Sequence, residues 1–360
     1  MKNRRHLRGG IALLFCVLLI GLTLPAWGET AGKLQKTDGA ITYDAELSIP
    51  EGVTACPILP CERVTFAPEP FLAAVAPGTD PEQTAQDESN GTGGTFQYIE
   101  YRWPNANGNY SDDLGGNFAY ASDRGACLND LLVYFQSAQT DAYRFPNAEL
   151  SFATQAQSVQ KALALFASVG VNLTVDTVIP LDLAMLNQMQ QATRKDMEAD
   201  QAAGLKLHRM EEWREEDACY VILFKQEMEG LPLYDQPFWP YTGNGDSVDP
   251  PCAEVVLSAA GVESLQVNNL WKPTETPASV SILSLQEMLT LFGKNHNELL
   301  GAEPLHVSRI ALTYAPVGIQ GKPLNQAIQY VPAYVFTVTE NGQTYDEGYS
   351  ALDGACLQWN

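Results

Sequence analysis

The fold class is decided by the stretch Tyr330-Val-Pro-Ala-Tyr-Val-Phe-Thr-Val-Thr-Glu-Asn-Gly-Gln-Thr-Tyr-Asp-Glu-Gly-Tyr-Ser350. The residues from Tyr330 to Thr339 and from Gln343 to Ser350 are rich in β-branched and aromatic types, which favour strands. Asn341-Gly342 stands between them, and this pair fits the type I′ turn that joins two antiparallel strands. The stretch therefore predicts a β-hairpin and, with it, an antiparallel sheet.

The sequence before this hairpin has the same character. Ser284-Leu-Gln-Glu287 is a capping box that predicts the start of a helix. Strands are predicted at 218–228, 253–258, 263–270 and 306–314, with a hairpin-like turn at Ala260-Gly261. Strands and helices are segregated along the chain rather than strictly alternating. We therefore predict an α+β fold, with antiparallel sheets, packed helices and two subdomains.

The first half of the chain mixes polar and patterned segments. Loops or polar segments are predicted at 29–45, 77–94 and 105–116. Short strands are predicted within 41–71 and at 96–103, 131–135 and 171–179. Helices are predicted at 151–169, ending before Gly170, and at 181–213, with a break at Gly204. Four methionines of this last segment are interpreted as packing material: Met185, Met189, Met197 and Met210.

The first 28 residues have the three parts of a secretory signal peptide. A basic start precedes an apolar core from Ile11 to Leu24, and Pro25-Ala26-Trp27-Gly28 supplies a helix breaker and small residues. The core of 14 residues is short for a bilayer span, which needs about 20. Cleavage after Gly28 is therefore favoured over retention as an anchor. Cys16 lies in mid-core without a small residue before it, which argues against lipidation.

The division predicted for the chain is a signal peptide (1–28), a polar lead-in (29–45), an N-terminal α+β subdomain (46–215) and a C-terminal α+β subdomain (216–360). Four of the 21 basic residues lie in the signal peptide, so 17 remain against 43 acidic ones, a net charge of −26. Such a field repels nucleic acid and anionic lipid. We predict a secreted or extracytoplasmic protein that meets a membrane only if residues 1–28 are retained.

Six cysteines remain after the signal peptide. An even number in an exported chain permits three disulfides, in 15 possible connectivities. Cys56-Pro-Ile-Leu-Pro-Cys61 could close a small local loop. Buried free thiols are the alternative, but at least one bridge is expected. The candidates are Cys56, Cys61, Cys127, Cys219, Cys252 and Cys356.

The last third of the chain resembles a known group of proteins. The resemblance rests on Glu229-Gly-Leu-Pro-Leu-Tyr234, the segment from Val255 to Val267 with Trp271-Lys-Pro273, the helix at Ser284, Tyr330 to Phe336, and Ala351-Leu-Asp-Gly354. Arg63 to Phe71 and the helix from Ser151 fit the family's first half. The family is an uncharacterised group of exported Gram-positive proteins, many of them lipoproteins, known only as a domain of unknown function. More distantly, this last third resembles the C-terminal domains of YycH/YycI-type extracytoplasmic regulators of a sensor kinase. The resemblance implies no catalytic residues, and the absent lipobox and the six cysteines depart from the family.

No motif for catalysis stands out. The chain lacks the H-E-x-x-H pattern of zinc hydrolases and the G-x-S-x-G pattern of serine hydrolases. His208, His296 and His306 share no ligand spacing, and His208 with Glu211 and Glu212 is interpreted as a solvated helix face. Asp112-Asp113 could offer oxygen to calcium, but the loop lacks an EF-hand pattern. We predict no metal and no cofactor.

One aromatic cluster is a candidate binding site. Phe238, Trp239 and Tyr241 lie beside the Gly- and Asn-containing segment 242–246, where they could stack on a sugar or anchor a partner. Rings that pin a loop to the core are the alternative. We therefore favour a non-enzymatic extracytoplasmic binding or regulatory module at the bacterial cell envelope, with an envelope protein or a small ligand as its partner. The alternative is a secreted, glycan-acting hydrolase that uses two carboxylates.

Overall fold

The predicted C-terminal hairpin is present. A computed structural model describes residues 29–89, 95–112, 116–138, 145, 147–234, 250–275, 277–297, 304–318 and 327–357. Strands β18 (Ala327–Glu340) and β19 (Gln343–Ser350) pair antiparallel, with Glu340 opposite Gln343. Asn341 and Gly342 have φ angles of 51° and 79°, as a type I′ turn requires. The turn chemistry read from the sequence is confirmed.

This hairpin is the centre of the first of two eight-stranded sheets. The order of the main path is β1-β2-β17-β18-β19-β20, and β4 pairs with both β18 and β15. Only the β2–β17 pair is parallel. The other strands of this sheet are β1 (Glu29–Asp38), β2 (Ile41–Pro50), β4 (Leu59–Arg63), β15 (Trp271–Pro273), β17 (Leu305–Gly318) and β20 (Cys356–Leu357). Two short pairs accompany the sheets: β3 (Ala55–Cys56) with β16 (Val280–Ser281), and β11 (Glu227–Met228) with β12 (Leu231–Pro232).

Helix α5 (Leu285–Asn297) covers one face of the first sheet. The predicted capping box is present, because Glu287 N donates to Ser284 Oγ (3.3 Å) and Ser284 N donates to Glu287 Oε2 (2.8 Å). The apolar side of the helix buries Met288, Leu289 and Phe292 in the core of this sheet. The Phe292 ring stacks on Phe336 with 4.2 Å between centroids.

The second sheet is antiparallel throughout. Its order is β5-β6-β7-β8-β14-β13-β10-β9. The strands are β5 (Glu82–Ser89), β6 (Thr95–Trp103), β7 (Ala106–Ser111), β8 (Asn117–Ser122), β9 (Thr174–Leu181), β10 (Cys219–Lys225), β13 (Cys252–Ser258) and β14 (Gly261–Asn268). A short 3-10 turn, Glu215–Asp217, precedes β10.

Helices cover both faces of this second sheet. Along β10, Tyr220 and Ile222 face a core shared with α1 (Glu69–Val75) and α3 (Gln155–Ser168), as the two-residue period of a strand requires. Cys219 and Val221 face the opposite core, which includes α2 (Asp123–Ala138) and α4 (Leu183–Ala202). The arrangement of open antiparallel sheets with packed helices confirms the predicted α+β class.

Polar strands were missed by the sequence predictions. The expected lead-in at 29–45 is instead β1 and the start of β2, and the expected loops at 77–94 and 105–116 contain β5 and β7. Strand β5 is the outermost strand of its sheet, and its residues 82–88 are all exposed. Because an edge strand can be held by backbone pairing alone, its side chains need no apolar alternation.

Two helix predictions also need correction. The strand expected at 131–135 lies within α2, where Leu128, Leu131, Leu132 and Phe135 are buried at helical spacing. The helix expected over 181–213 ends at Ala202, and Gly204, the predicted break, has a φ of +95°. The part expected to be helical after this break, at 205–213, is not a helix. By contrast, the helix predicted at 151–169 is present as α3, which begins four residues later and ends at Ser168; Gly170, the predicted stop, follows with a φ of +76°. Both sheets contain strands from either side of residue 215, and the division into subdomains there stays a prediction.

Candidate functional site

The aromatic cluster predicted as a binding site lies outside the described residues. Phe238, Trp239 and Tyr241 therefore remain a prediction, as does any calcium role of Asp113. The neighbouring Asp112 has a local partner, since Gln97 N donates to its Oδ1 at 2.8 Å.

The cysteines form no disulfide within the described residues, and the disulfide stays a prediction. Cys56 and Cys61 lie in the core of the first sheet, and Cys127 and Cys219 lie together in the core beneath α2 and α4. Burial raises the pKa of Cys61 to about 12 and that of Cys127 to about 11, so neither is a thiolate at neutral pH. Cys356 is exposed and Cys252 is half-buried.

The three histidines of the described residues lie in separate places, and His306 is exposed on β17. His208 contacts Asp130 through both its backbone N (2.7 Å) and its Nδ1 (3.2 Å). His296 Nε2 lies 2.9 Å from Glu347 Oε2, and the Tyr349 hydroxyl donates to that same oxygen at 2.9 Å. No group of three His, Cys, Asp or Glu side chains in the described ranges could hold a metal ion.

The rival hydrolase needs two carboxyl groups at a suitable separation across a cleft. The buried acidic residues of the described ranges are Asp217, Glu254 and Glu263. Burial raises the pKa of Glu254, on β13, to about 7. Glu254 lies opposite Leu223 and Gln266 on the neighbouring strands.

The other buried glutamate, Glu263, has a structural role. Arg124 Nη1 lies 3.1 Å from its Oε1, and the hydroxyls of Ser122 and Ser258 both donate to its carboxylate. Arg124 Nε also lies 3.0 Å from Asp217 Oδ1. The network joins the start of α2 to β14 and to the 3-10 turn before β10. The buried carboxylate of Glu263 is thus paired with a cation and hydrogen-bonded, as a buried charge requires.

A groove runs along the outer side of α4. Asp182 caps this helix through its Oδ1, which accepts from Met185 N at 2.8 Å. Met185, Met189 and Met197 are buried on its inner side, which supports their interpretation as packing material. The outer side carries polar residues at three- and four-residue spacing: Asn187, Gln190, Gln191, Arg194 and Gln201.

The opposite wall of the groove is the chain that follows α4. After Gly204, residues 205–213 return beside the helix, and Met210 O accepts from Gln190 Nε2 at 2.8 Å. We call this cavity, of about 740 Å³, the α4 groove; it is lined by Asn187, Gln190, Gln191, Arg194, Gln201, Arg209, Met210 and Glu211. The volume lies within the range of about 300–1,000 Å³ seen for small-molecule sites.

A smaller recess lies at the inner side of the groove. It is lined by Trp213, Leu131 and Met197 and shares Gln190, Arg194, Arg209 and Met210 with the groove. Its volume of about 10 Å³ is close to that needed for one water-sized group. The indole Nε1 of Trp213 is buried and has no hydrogen-bond partner within the described residues.

The charged groups at the groove balance one another. Glu198 Oε1 lies 2.8 Å from Arg194 Nε and 3.5 Å from Arg209 Nη2. The hydrogen bond from Arg194 lowers the pKa of Glu198, so the carboxylate stays ionised. Glu211 is the one acidic residue among the described residues that line the groove.

Part of this groove had a sequence pattern that could have revealed it. The polar stripe from Asn187 to Gln201 repeats at helical spacing within a segment already predicted as a helix. The other wall had none, because Arg209 and Met210 reach the helix only through the chain reversal at Gly204.

Comparisons with known proteins establish the fold. No family model matches the sequence, and no curated protein matches it. An uncharacterised protein from Eubacterium rectale has a crystal structure similar to this one, with a TM-score of 0.59 and 12% identity over 90% of this chain and 92% of that chain. The Bacillus megaterium YpeB C-terminal domain matches 81% of this chain and 94% of that chain, with a TM-score of 0.33 and 9% identity. The first likeness shows a shared fold alone, and the second is too distant to add to it.

A search for membrane-spanning helices gave none within the described ranges, where every helix is too short or too polar to cross a bilayer.

Proposed function

We propose that this protein is a non-enzymatic extracytoplasmic binding module of the bacterial cell envelope, and that it holds its ligand in the α4 groove. The groove is the observation that carries the proposal. It has the volume of a ligand site, and polar side chains converge on it from two segments. Export is supported by the basic start and short apolar core of residues 1–28 and by the strongly acidic remainder.

Hydrogen bonds hold the wall of the groove that residues 205–213 form. This wall is attached to the rest of the protein on both sides of Met210. Asp130 accepts a hydrogen bond from His208 N, and Asp217 accepts one from Arg214 N at 2.8 Å. Between them, Gln190 fixes Met210 to α4. Ordering a ligand against a preformed wall costs less free energy than ordering the wall as well.

The proposal is tested by filling the groove. In the full-length protein without its signal peptide, Gln191→Trp places a large ring in the groove, and Lys195→Trp places the same ring on an exposed α4 position outside the lining. An envelope extract of the producing bacterium is expected to raise the Tm of the unaltered protein and of K195W, but not that of Q191W. An equal shift in all three proteins, or no shift in any, would contradict the proposal.

Export is tested separately. The mass of the protein recovered outside the cytoplasm is expected to correspond to a chain that begins at Glu29. A full-length chain found only in the cytoplasm would contradict the extracytoplasmic assignment.

A further inference from the structure

We infer that the α4 groove takes a neutral, hydroxyl-rich ligand of the oligosaccharide class, an inference that rests on the proposed binding function. The groove exposes side-chain amide groups. Asn187 and Gln191 are both exposed, and neither side chain has a hydrogen-bond partner within the described residues. Each amide offers a donor and an acceptor side by side, which matches hydroxyl groups that both donate and accept.

The charged side chains at the groove favour a neutral ligand. The two guanidinium groups, of Arg194 and Arg209, share the single carboxylate of Glu198, and Arg209 Nη1 also lies 3.4 Å from Gln201 Oε1. An anionic ligand would compete with Glu198 for these cations and would meet the carboxylate of Glu211. A cationic ligand would meet two guanidinium groups. A neutral ligand avoids both costs and still receives hydrogen bonds from groups that are already held in place.

The wall formed by residues 205–213 also has an apolar part. Met210 is half-buried between the groove and the recess, where it packs against the core beneath α2 and α4 and its backbone oxygen accepts from Gln190. Its side chain contributes an apolar part to the lining of the groove. A pyranose ring has hydroxyl groups at its edge and C–H groups on its faces. Amides at Asn187 and Gln191 with a polarisable side chain at Met210 provide for both.

The experiment identifies the chemical class of the ligand and does not require a purified glycan. The probe is the low-molecular-mass fraction of the enzymatically digested envelope, after removal of charged species on anion and cation exchangers. This neutral fraction is expected to raise the Tm of the protein. Periodate, which cleaves vicinal diols, is expected to abolish the shift, and protease treatment is expected to leave it unchanged.

A double variant connects the effect to the groove. Asn187→Ala with Gln191→Ala is expected to weaken binding of the neutral fraction by about tenfold, because two hydrogen bonds are lost. Lys195→Ala, an exposed change on the same helix outside the groove, is expected to leave it unchanged.

The outcomes separate the inference from the proposed function. If the whole extract shifts the Tm in a manner that Q191W abolishes, but the active material is retained on an exchanger or survives periodate, the groove binds a ligand and the oligosaccharide class is wrong. If no fraction acts through the groove, the binding function itself is wrong.

Discussion

Helices α4 and α5 each bury an apolar stripe against a sheet, but their polar side chains have different fates. At the end of α5, Asn297 Oδ1 accepts from Ala40 N (3.1 Å) and its Nδ2 donates to Asp38 O (3.3 Å), while His296 contacts Glu347. On α4, the amides of Asn187 and Gln191 have no partner within the described residues. Polar groups at the end of α5 therefore hold the fold together, whereas two of those on α4 are available to a ligand.

The largest expected effects come from the buried apolar side chains, which both helices have. Phe292→Ala on α5 should lower the free energy of unfolding by about 3–5 kcal/mol, and Met189→Ala on α4 by about 2–5 kcal/mol, because both side chains are fully buried. Urea denaturation measures both. Lys294→Ala and Lys195→Ala are exposed controls on the same helices, with changes within about 0.5 kcal/mol. A core substitution that matched its control would refute the packing described for that helix.

The pair of His296 and Glu347 gives α5 a dependence on pH. Burial alone would raise the pKa of Glu347, but hydrogen bonds and charge from His296, with further hydrogen bonds from Tyr349 and Tyr345, leave it lowered. A carboxyl group with a lowered pKa in the folded state stabilises the protein above its unfolded value of about 4.3, and this contribution is lost as pH falls through the folded pKa. At about pH 6, Glu347→Gln should therefore cost about 1–3 kcal/mol.

The measurement is a series of urea midpoints for the unaltered protein and Glu347→Gln between about pH 6 and about pH 3. The difference between the two proteins should shrink as the pH falls. Glu340→Gln is a control on the same sheet, since its carboxylate is bonded to Tyr345 at the exposed end of the hairpin. A difference that stayed constant with pH would argue against an ionised Glu347 in the folded protein.

Amide truncations compare the two helices directly. Asn297→Ala removes two hydrogen bonds that hold the β1–β2 turn, so it should lower the free energy of unfolding by about 0.5–1.5 kcal/mol. Thermal or urea unfolding is sufficient to detect this. No loss of stability would mean that the contacts of α5 with that turn contribute little.

The smallest effect on stability is expected on α4. Asn187→Ala should change the free energy of unfolding by no more than about 0.5 kcal/mol. The Asn187 side chain is exposed and has no hydrogen-bond partner among the described residues, so its removal leaves no other group unpaired. The same urea series measures it. A loss as large as that of Asn297→Ala would show that this amide serves the fold and would remove one support for the ligand site.

Local chemistry made part of the fold predictable. The Asn341-Gly342 turn, the capping box at Ser284 and the stop at Gly170 depend on residues adjacent in sequence, and all three are present. Polar edge strands such as β5 were not predictable from alternation, because pairing with a neighbour holds them. The short apolar run at 131–135 fits a strand or a helix equally well, and packing beneath α2 decides between them.

Less of the candidate site was predictable. The stripe of amides on α4 repeats at helical spacing in the sequence, but residues available to a ligand look the same there as any solvated helix face. Arg209 and Met210 join the site only because the chain reverses after Ala202. The predicted break at Gly204 marked the place of this reversal but not the direction that the chain takes after it. The predicted aromatic site at Phe238, Trp239 and Tyr241 is not described and stays a separate hypothesis.

The most direct test of the difference between α4 and α5 is hydrogen exchange of the protein with and without the envelope extract. Exchange is expected to slow in peptides covering residues 187–194 and 205–213, the two walls of the α4 groove, and to stay unchanged in 293–297 at the end of α5. Protection at neither wall of the groove, or equal protection at both helices, would contradict the assignment of α4 to ligand binding.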